Sequence, residues 1–158
     1  VTSPEQHPTT SNQDVQTPPE FLAAVQQRFG RIVFDAAAAA PNVCTAWAGP
    51  GSPIAADGLV IEWPRDGLVW CNPPYRDCRA WAAKCAAEAR RGVSVVLLTP
   101  LSLETRWFEA IERECCSLVL RPRLTFVGHD QVYPKGLMLS VFGGDVTGGM
   151  IIPWRWRP

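Results

Sequence analysis

The stretch Leu68-Val-Trp-Cys-Asn-Pro-Pro-Tyr75 decides the fold class of this chain. Four apolar residues without polar alternation are what a strand covered on both faces looks like. That strand runs without a linker into Asn72-Pro73-Pro74-Tyr75, where two prolines fix φ and stiffen the backbone. Open α/β sheets hold their ligands at the carboxyl ends of strands, and Asn72 stands at such an end. Asn-Pro and Pro-Pro are also common turn dipeptides, so a rigid turn leaving a strand is the plain alternative.

Working outward, Thr17-Pro18-Pro19-Glu20 has the form of a capping box with Pro at the first helical position. It predicts a helix whose inner face carries Phe21, Leu22, Val25 and Phe29, closed by Gly30. Residues 31–34 predict a short strand ending at Asp35. A run of five alanines follows, suited either to a good helix or to a close turn, and Pro41 stops it. Residues 43–66 read as loop with a short strand at 59–62. Asp77 predicts the cap of a helix over 78–91, with Cys78, Trp81, Cys85 and Ala89 inward and Gly92 at its end.

Val93 to Thr99 predicts a strand covered on both faces. Ser102 predicts a helix over 103–115, with Trp107, Phe108 and Ile111 inward, and further strands are expected at 117–120, 124–127 and 137–142. Strands alternating with helices give an α/β class: a three-layer Rossmann-like sheet, mainly parallel, finishing in an antiparallel C-terminal hairpin. Residues 1–16 lack periodicity and predict a flexible tail ahead of a single domain over 17–158.

Composition narrows the function classes. The 158 residues are 47% hydrophobic and 19% charged, which suits one globular domain with a proper core. No apolar run approaches a membrane span, and the polar start predicts no signal peptide, hence a cytoplasmic location. Six cysteines form no C-x-x-C pair, and the histidines, His7 and His129, lie far from them; buried reduced thiols are expected, and no metal. A net charge of zero argues against non-specific coating of nucleic acid. Residues 1–80 hold five arginines against eight acids, whereas residues 81–158 hold ten cations against seven, a polarity that suits phosphate contact by the second half.

A rigid pair of acceptors beside an aromatic ring suits one chemistry well. The exocyclic amine of a nucleobase is a weak nucleophile because its lone pair is delocalised into the ring. Accepting hydrogen bonds from both its N–H groups, through Asn72 Oδ1 and the Pro73 carbonyl, favours the pyramidal geometry of attack. Tyr75 offers a face for an extruded base, worth roughly 1–3 kcal/mol. With a sulfonium as methyl donor no strong general base is needed, since the product ammonium loses its proton afterwards.

Asn72-Pro-Pro-Tyr75 resembles the catalytic motif of class I amino-methyltransferases acting on adenine, and in some members on cytosine or glutamine. A wider ordered pattern resembles the phage N-6-adenine methyltransferase (Dam-like) family over residues 17–127. Upstream it comprises Thr17-Pro18 with Phe21, Phe34-Asp35-Ala36 with Asn42, and Asp57, Leu59 and Trp63. Downstream it comprises Trp81 and Lys84, then Thr105, Trp107 and Phe108, then Arg123-Leu124 with Phe126.

The resemblance implies methyl transfer from S-adenosylmethionine to adenine N6 in double-stranded DNA, by a phage or prophage protein in the host cytoplasm; the sequence leaves the oligomeric state open, a monomer being plausible. It implies that Asn72, Pro73, Pro74 and Tyr75 are catalytic. Thr17, Pro18, Asp35, Ala36, Asn42 and Asp57, with Asn72, would form the cofactor site; Asp35 would mark the turn beneath it, and Asp57 would meet the cofactor's adenine amine. Arg76, Arg79, Arg106 and Arg123, with Arg121, are candidate phosphate contacts.

Each has a blander reading: Thr17 as a helix cap, Asp57 as a turn residue, the arginines as solvated surface. The Gly-x-Gly usual in methyltransferases is absent after the first expected strand, as in these relatives. Two alternatives stay open: an amino-methyltransferase on cytosine N4, RNA or protein glutamine, and a non-catalytic DNA-binding scaffold. Trp154-Arg-Trp-Arg157 suits DNA binding or a tryptophan-anchored tail equally. Little chain follows Leu124, so any sequence discrimination is expected from loops.

Overall fold

In the computed structural model the described residues are 16–158, so the expected tail lies outside them except for Gln16. The carbonyl of Gln16 accepts the Val127 N–H at 3.0 Å, which pins that residue to the body. Three strands, β1 (Ile32–Asp35), β2 (Leu68–Cys71) and β3 (Ser94–Pro100), lie side by side and parallel. Next to β3 come β5 (Leu137–Phe142), antiparallel, then β4 (Cys115–Arg121) and β6 (Met150–Arg155). The order is β1-β2-β3-β5-β4-β6, with β5 running against the other five. A mainly parallel Rossmann-like sheet with an antiparallel β4–β5 pair is the architecture expected.

The period of two along each strand sorts the core into two layers. Val69 and Cys71 of β2, with Val95 and Leu97 of β3, pack under α2 (Cys78–Arg90), where Trp81, Ala82 and Cys85 are buried. Leu68, Trp70, Val96 and Leu98 face the other way, toward Phe21 and Val25 of α1 (Pro19–Phe29). Both faces are thus covered, which is why the strand sequences lack polar alternation.

Several local expectations are corrected. Thr17 does not cap α1: Pro18 holds the cap position, Pro19 opens the helix, and no side chain caps it. Asp77 holds the cap position of α2, but its carboxylate pairs with Arg76 and bonds no helix amide. The alanine run is a turn, and residues 58–60 form a 3-10 turn where a strand was expected. The helix expected over 103–115 shrinks to α3 (Arg106–Glu109) and a 3-10 turn at Glu112–Glu114. Thr105 caps α3 by accepting the Phe108 N–H, while Ser102 donates to the Pro100 carbonyl.

Residues 124–127 are not a strand, although Leu124 and Phe126 are buried as alternation required. Both neighbours of β4 are already taken, by β5 on one side and β6 on the other. The C-terminal Trp-Arg repeat supplies part of that unforeseen β6. Trp154 and Trp156 are buried against Phe21, at 5.9 and 5.1 Å between ring centroids. The anchored reading of this segment is the one the structure supports.

Candidate active site

The carboxyl ends of β1 and β2 open into one cleft of about 1090 Å³. Small-molecule sites typically enclose roughly 300–1,000 Å³, so there is room for a nucleoside-sized donor and a second planar group. Asp35 ends β1 and lies buried at this cleft. Its Oδ1 accepts the Ala37 N–H at 3.2 Å, and its backbone exchanges hydrogen bonds with Ala46 and Ala48. Burial raises its pKa from 3.8 to about 7, against the opposing pull of the Ala37 N–H. A carboxyl so placed favours an incoming cation, which restores its charge.

The turn after Asp35 is held by backbone bonds: Ala36 N–H to the Trp70 carbonyl and Ala38 N–H to that of Ala48, each 2.9 Å. Two glycines from distant segments press on it. A Cβ on Gly58 would lie 1.9 Å from the Ala36 carbonyl oxygen, and one on Gly49 would lie 1.8 Å from that of Ala38. The lack of a Gly-x-Gly after β1 is therefore balanced from outside: alanines form the turn, and glycines lean against it.

The segment carrying Gly58 is itself anchored. Trp63 Nε1 donates to the Gly58 carbonyl at 2.9 Å, and Asp57 Oδ1 accepts the Leu59 N–H at 2.8 Å. Behind it, Lys84 Nζ donates to the Ile61 carbonyl and to Glu88, both at 2.6 Å. Buried Glu88 also accepts the Trp63 N–H and pairs with Arg91. Burial opposes its charge, but hydrogen bonds from Lys84 and Trp63 outweigh that and hold its pKa below the ordinary carboxylate value. Sequence reasoning missed Glu88, because charge at a helical position reads as surface.

On the β2 side, Asn72 Nδ2 donates to the buried Thr17 hydroxyl at 3.3 Å. That bond occupies one of the amide's two N–H groups and leaves Oδ1 available as an acceptor. Tyr75 follows two residues of proline and packs edge-on against Tyr133 at 5.8 Å, which packs likewise on Phe126 at 5.6 Å. Burial raises the Tyr75 pKa, with Tyr133 adding to it, and its buried hydroxyl has no hydrogen-bond partner among the described residues.

Thr17, Asp35, Ala36, Asn42, Asp57 and the whole of Asn72–Tyr75 line this single cleft. Pro18 does not: it starts α1, its carbonyl accepting the Phe21 and Leu22 N–H groups. Arg76, Arg79, Arg106 and Arg123 stand exposed outside it, at the carboxyl edge of the sheet. Arg76 pairs with Asp77 at 3.4 Å, and Arg123 Nη1 donates to the Pro134 carbonyl at 3.0 Å. Gly49, Gly58, Tyr133 and the Val127–Val132 segment also border the cleft and were not foreseen. Among the described residues no cluster of three metal-binding side chains exists, the six cysteines are free, and no helix is long and apolar enough to cross a membrane.

A Rossmann-like sheet with a buried acid ending one strand and Asn-Pro-Pro-Tyr ending the next defines a domain of methyltransferase type. The chain belongs to the DNA N-6-adenine-methyltransferase (Dam) family, whose model matches residues 5–136. It is 26% identical over 104 residues to the DNA N-6-adenine-methyltransferase of Escherichia phage T1, a match covering 65% of this chain. The chain spans only 42% of the length of that curated relative. A solved structure described as a predicted O-methyltransferase from Agrobacterium tumefaciens aligns over 85% of both chains, with a TM-score of 0.47 and 15% identity.

Proposed function

We propose that the chain transfers a methyl group from S-adenosylmethionine to N6 of adenine in double-stranded DNA, as one domain over residues 17–158. The observation that carries this reading is that the Asn72 amide and buried Asp35 line the same cleft. S-adenosylmethionine, when bound, supplies an electrophilic methyl group on a sulfonium. The residues present fit such a group. Asp35 is a buried carboxyl suited to its positive charge, the alanine turn lets backbone approach its methionine portion, and Asp57 and Asn42 stand on the wall for its nucleoside.

The chain's own residues then act on the target base. Thr17 takes one amide N–H of Asn72, so the amide presents Oδ1 toward the cleft. Oδ1 and the Pro73 carbonyl accept the two N–H groups of the adenine amine and localise its lone pair. Pro73 and Pro74 fix those acceptors before the base arrives, and Tyr75 supports the extruded ring. Arg76, Arg79, Arg106 and Arg123 hold phosphates along the rim. Family membership and the phage relative support a phage or prophage protein working in a bacterial cytoplasm.

Incubating the protein with S-adenosylmethionine and duplex DNA, then digesting to nucleosides, tests the reading. N6-methyl-2′-deoxyadenosine is the product expected; N4-methyl-2′-deoxycytidine alone, or no modified nucleoside, overturns it.

A further inference from the structure

The connection between β4 and β5, residues 122–136, is long for a compact domain and has no regular structure; such loops are usually functional. Its two parts differ in kind. The root is fixed: Leu124 and Phe126 are buried, the Tyr133 N–H donates to the Leu124 carbonyl at 2.8 Å, and the Phe126, Tyr133 and Tyr75 rings interlock edge to face. The tip from Val127 to Val132 is exposed, with Val127 and Val132 at 47% and 52% of their full surface. Both valines, with His129 and Gln131, border the mouth of the cleft that holds Asn72 and Tyr75.

Exposed apolar groups gathered in one place mark a contact surface. Of eight exposed large hydrophobics among the described residues, Leu101, Leu103, Val127 and Val132 share this carboxyl edge. The edge is also basic: segments 73–79, 100–106 and 121–136 hold six Lys and Arg against three acids, in a chain whose net charge is zero. Apolar tip, rigid root and cationic surround fit a polyanion whose interior is apolar, which is a base-stacked duplex.

We propose that the Val127–Val132 tip is a wedge that enters duplex DNA where the target base has left the stack. The valines fill the apolar gap, and Gln131 and His129 face the neighbouring base edges, where a side-chain amide pairs well with adenine. The aromatic root sets the tip at a fixed distance from Tyr75, so opening the stack and seating the base are one motion. This inference rests on the DNA reading above, and names the element that engages the duplex.

The test compares the wild type with the Val127→Ala/Val132→Ala double variant on three substrates: a duplex, the same duplex with the target adenine mismatched, and the single strand. A 2-aminopurine at the target position reports extrusion by fluorescence on binding, whether or not methyl transfer occurs. On the matched duplex the variant is expected to lose about tenfold in kcat/KM, and most of the fluorescence rise. The loss should shrink on the mismatch and on the single strand, where no stacked pair has to be opened. Equal losses on all three substrates, or an unchanged fluorescence rise, overturn the wedge. Weakened S-adenosylmethionine binding by the variant without DNA also overturns it, in favour of a cofactor lid. If the wild type shows the fluorescence rise and the variant does not, while neither methylates, the wedge stands and the methylation reading falls.

Discussion

The two halves of the cleft are built on different principles. The β1 half is buried and electrostatic: Asp35 without a charged partner among the described residues, a backbone turn of alanines, and glycines pressed to within a missing Cβ of it. The β2 half is stiff and directional: two prolines, an amide oriented by Thr17, and an aromatic ring braced by Tyr133. A flexible, cationic donor needs charge complementarity and backbone approach, which tolerate small movements. A neutral planar amine needs acceptors at fixed positions, which do not. The difference predicts that damage on the β1 side appears in cofactor affinity, and damage on the β2 side in turnover.

Asn72→Ala should have the largest effect, lowering kcat by about 10²–10³, the cost of losing one preorganised hydrogen-bond partner of the transition state. Calorimetric S-adenosylmethionine affinity should change little; equal losses in both would erase the division. Gly58→Ala should act in the opposite sense, because its Cβ collides with the Ala36 carbonyl. A displaced turn should weaken cofactor binding by about tenfold or more, with the fall in kcat much smaller at saturating cofactor.

Asp35→Asn should weaken the cofactor less and change its pH dependence. With a pKa near 7 in the free protein, affinity for a cation should strengthen as pH rises through 7, and the Asn variant should show a flat profile. Stability runs the other way. The raised pKa means the folded chain holds a proton the unfolded chain has released, so this contribution is complete below about pH 4 and is lost as pH rises through 7. Urea midpoints of the cofactor-free protein, compared with those of Asp35→Asn between pH 5 and 8, check the sign. Thr17→Val should give the smallest effect, a loss of several-fold in kcat from a freed amide rotor, restored by Thr17→Ser, with KM for the cofactor unchanged.

The same division explains what was legible beforehand. Asn72–Tyr75 could be placed at the cleft beforehand because its signal is local: four consecutive residues at the end of an apolar strand. Asp35 was legible for the same reason. The glycines that shape the β1 turn stand at 49 and 58, and no local pattern relates them to alanines 36 and 38. Thr17 lines the same cleft as Asn72, but its capping-box spacing concealed the bond between them across 55 positions. In the fold, the continuous apolar strands and α2 were plain. The strand expected at 124–127 failed because alternation reports burial, whereas strand pairing depends on which edges are free, and β6 had taken that one.

The aromatic seat formed by Trp154 and Trp156 has a consequence for synthesis on the ribosome. Phe21 and Phe29 rest against tryptophans made near the opposite end of the described chain. Helix α1 can rest on Trp70 of β2 before then, but its aromatic seat is complete only once β6 has emerged and joined the sheet. A stop codon before Trp154 should therefore loosen α1, and with it the Thr17 hydroxyl that Asn72 bonds, from a point some eighty residues further along the chain than that amide.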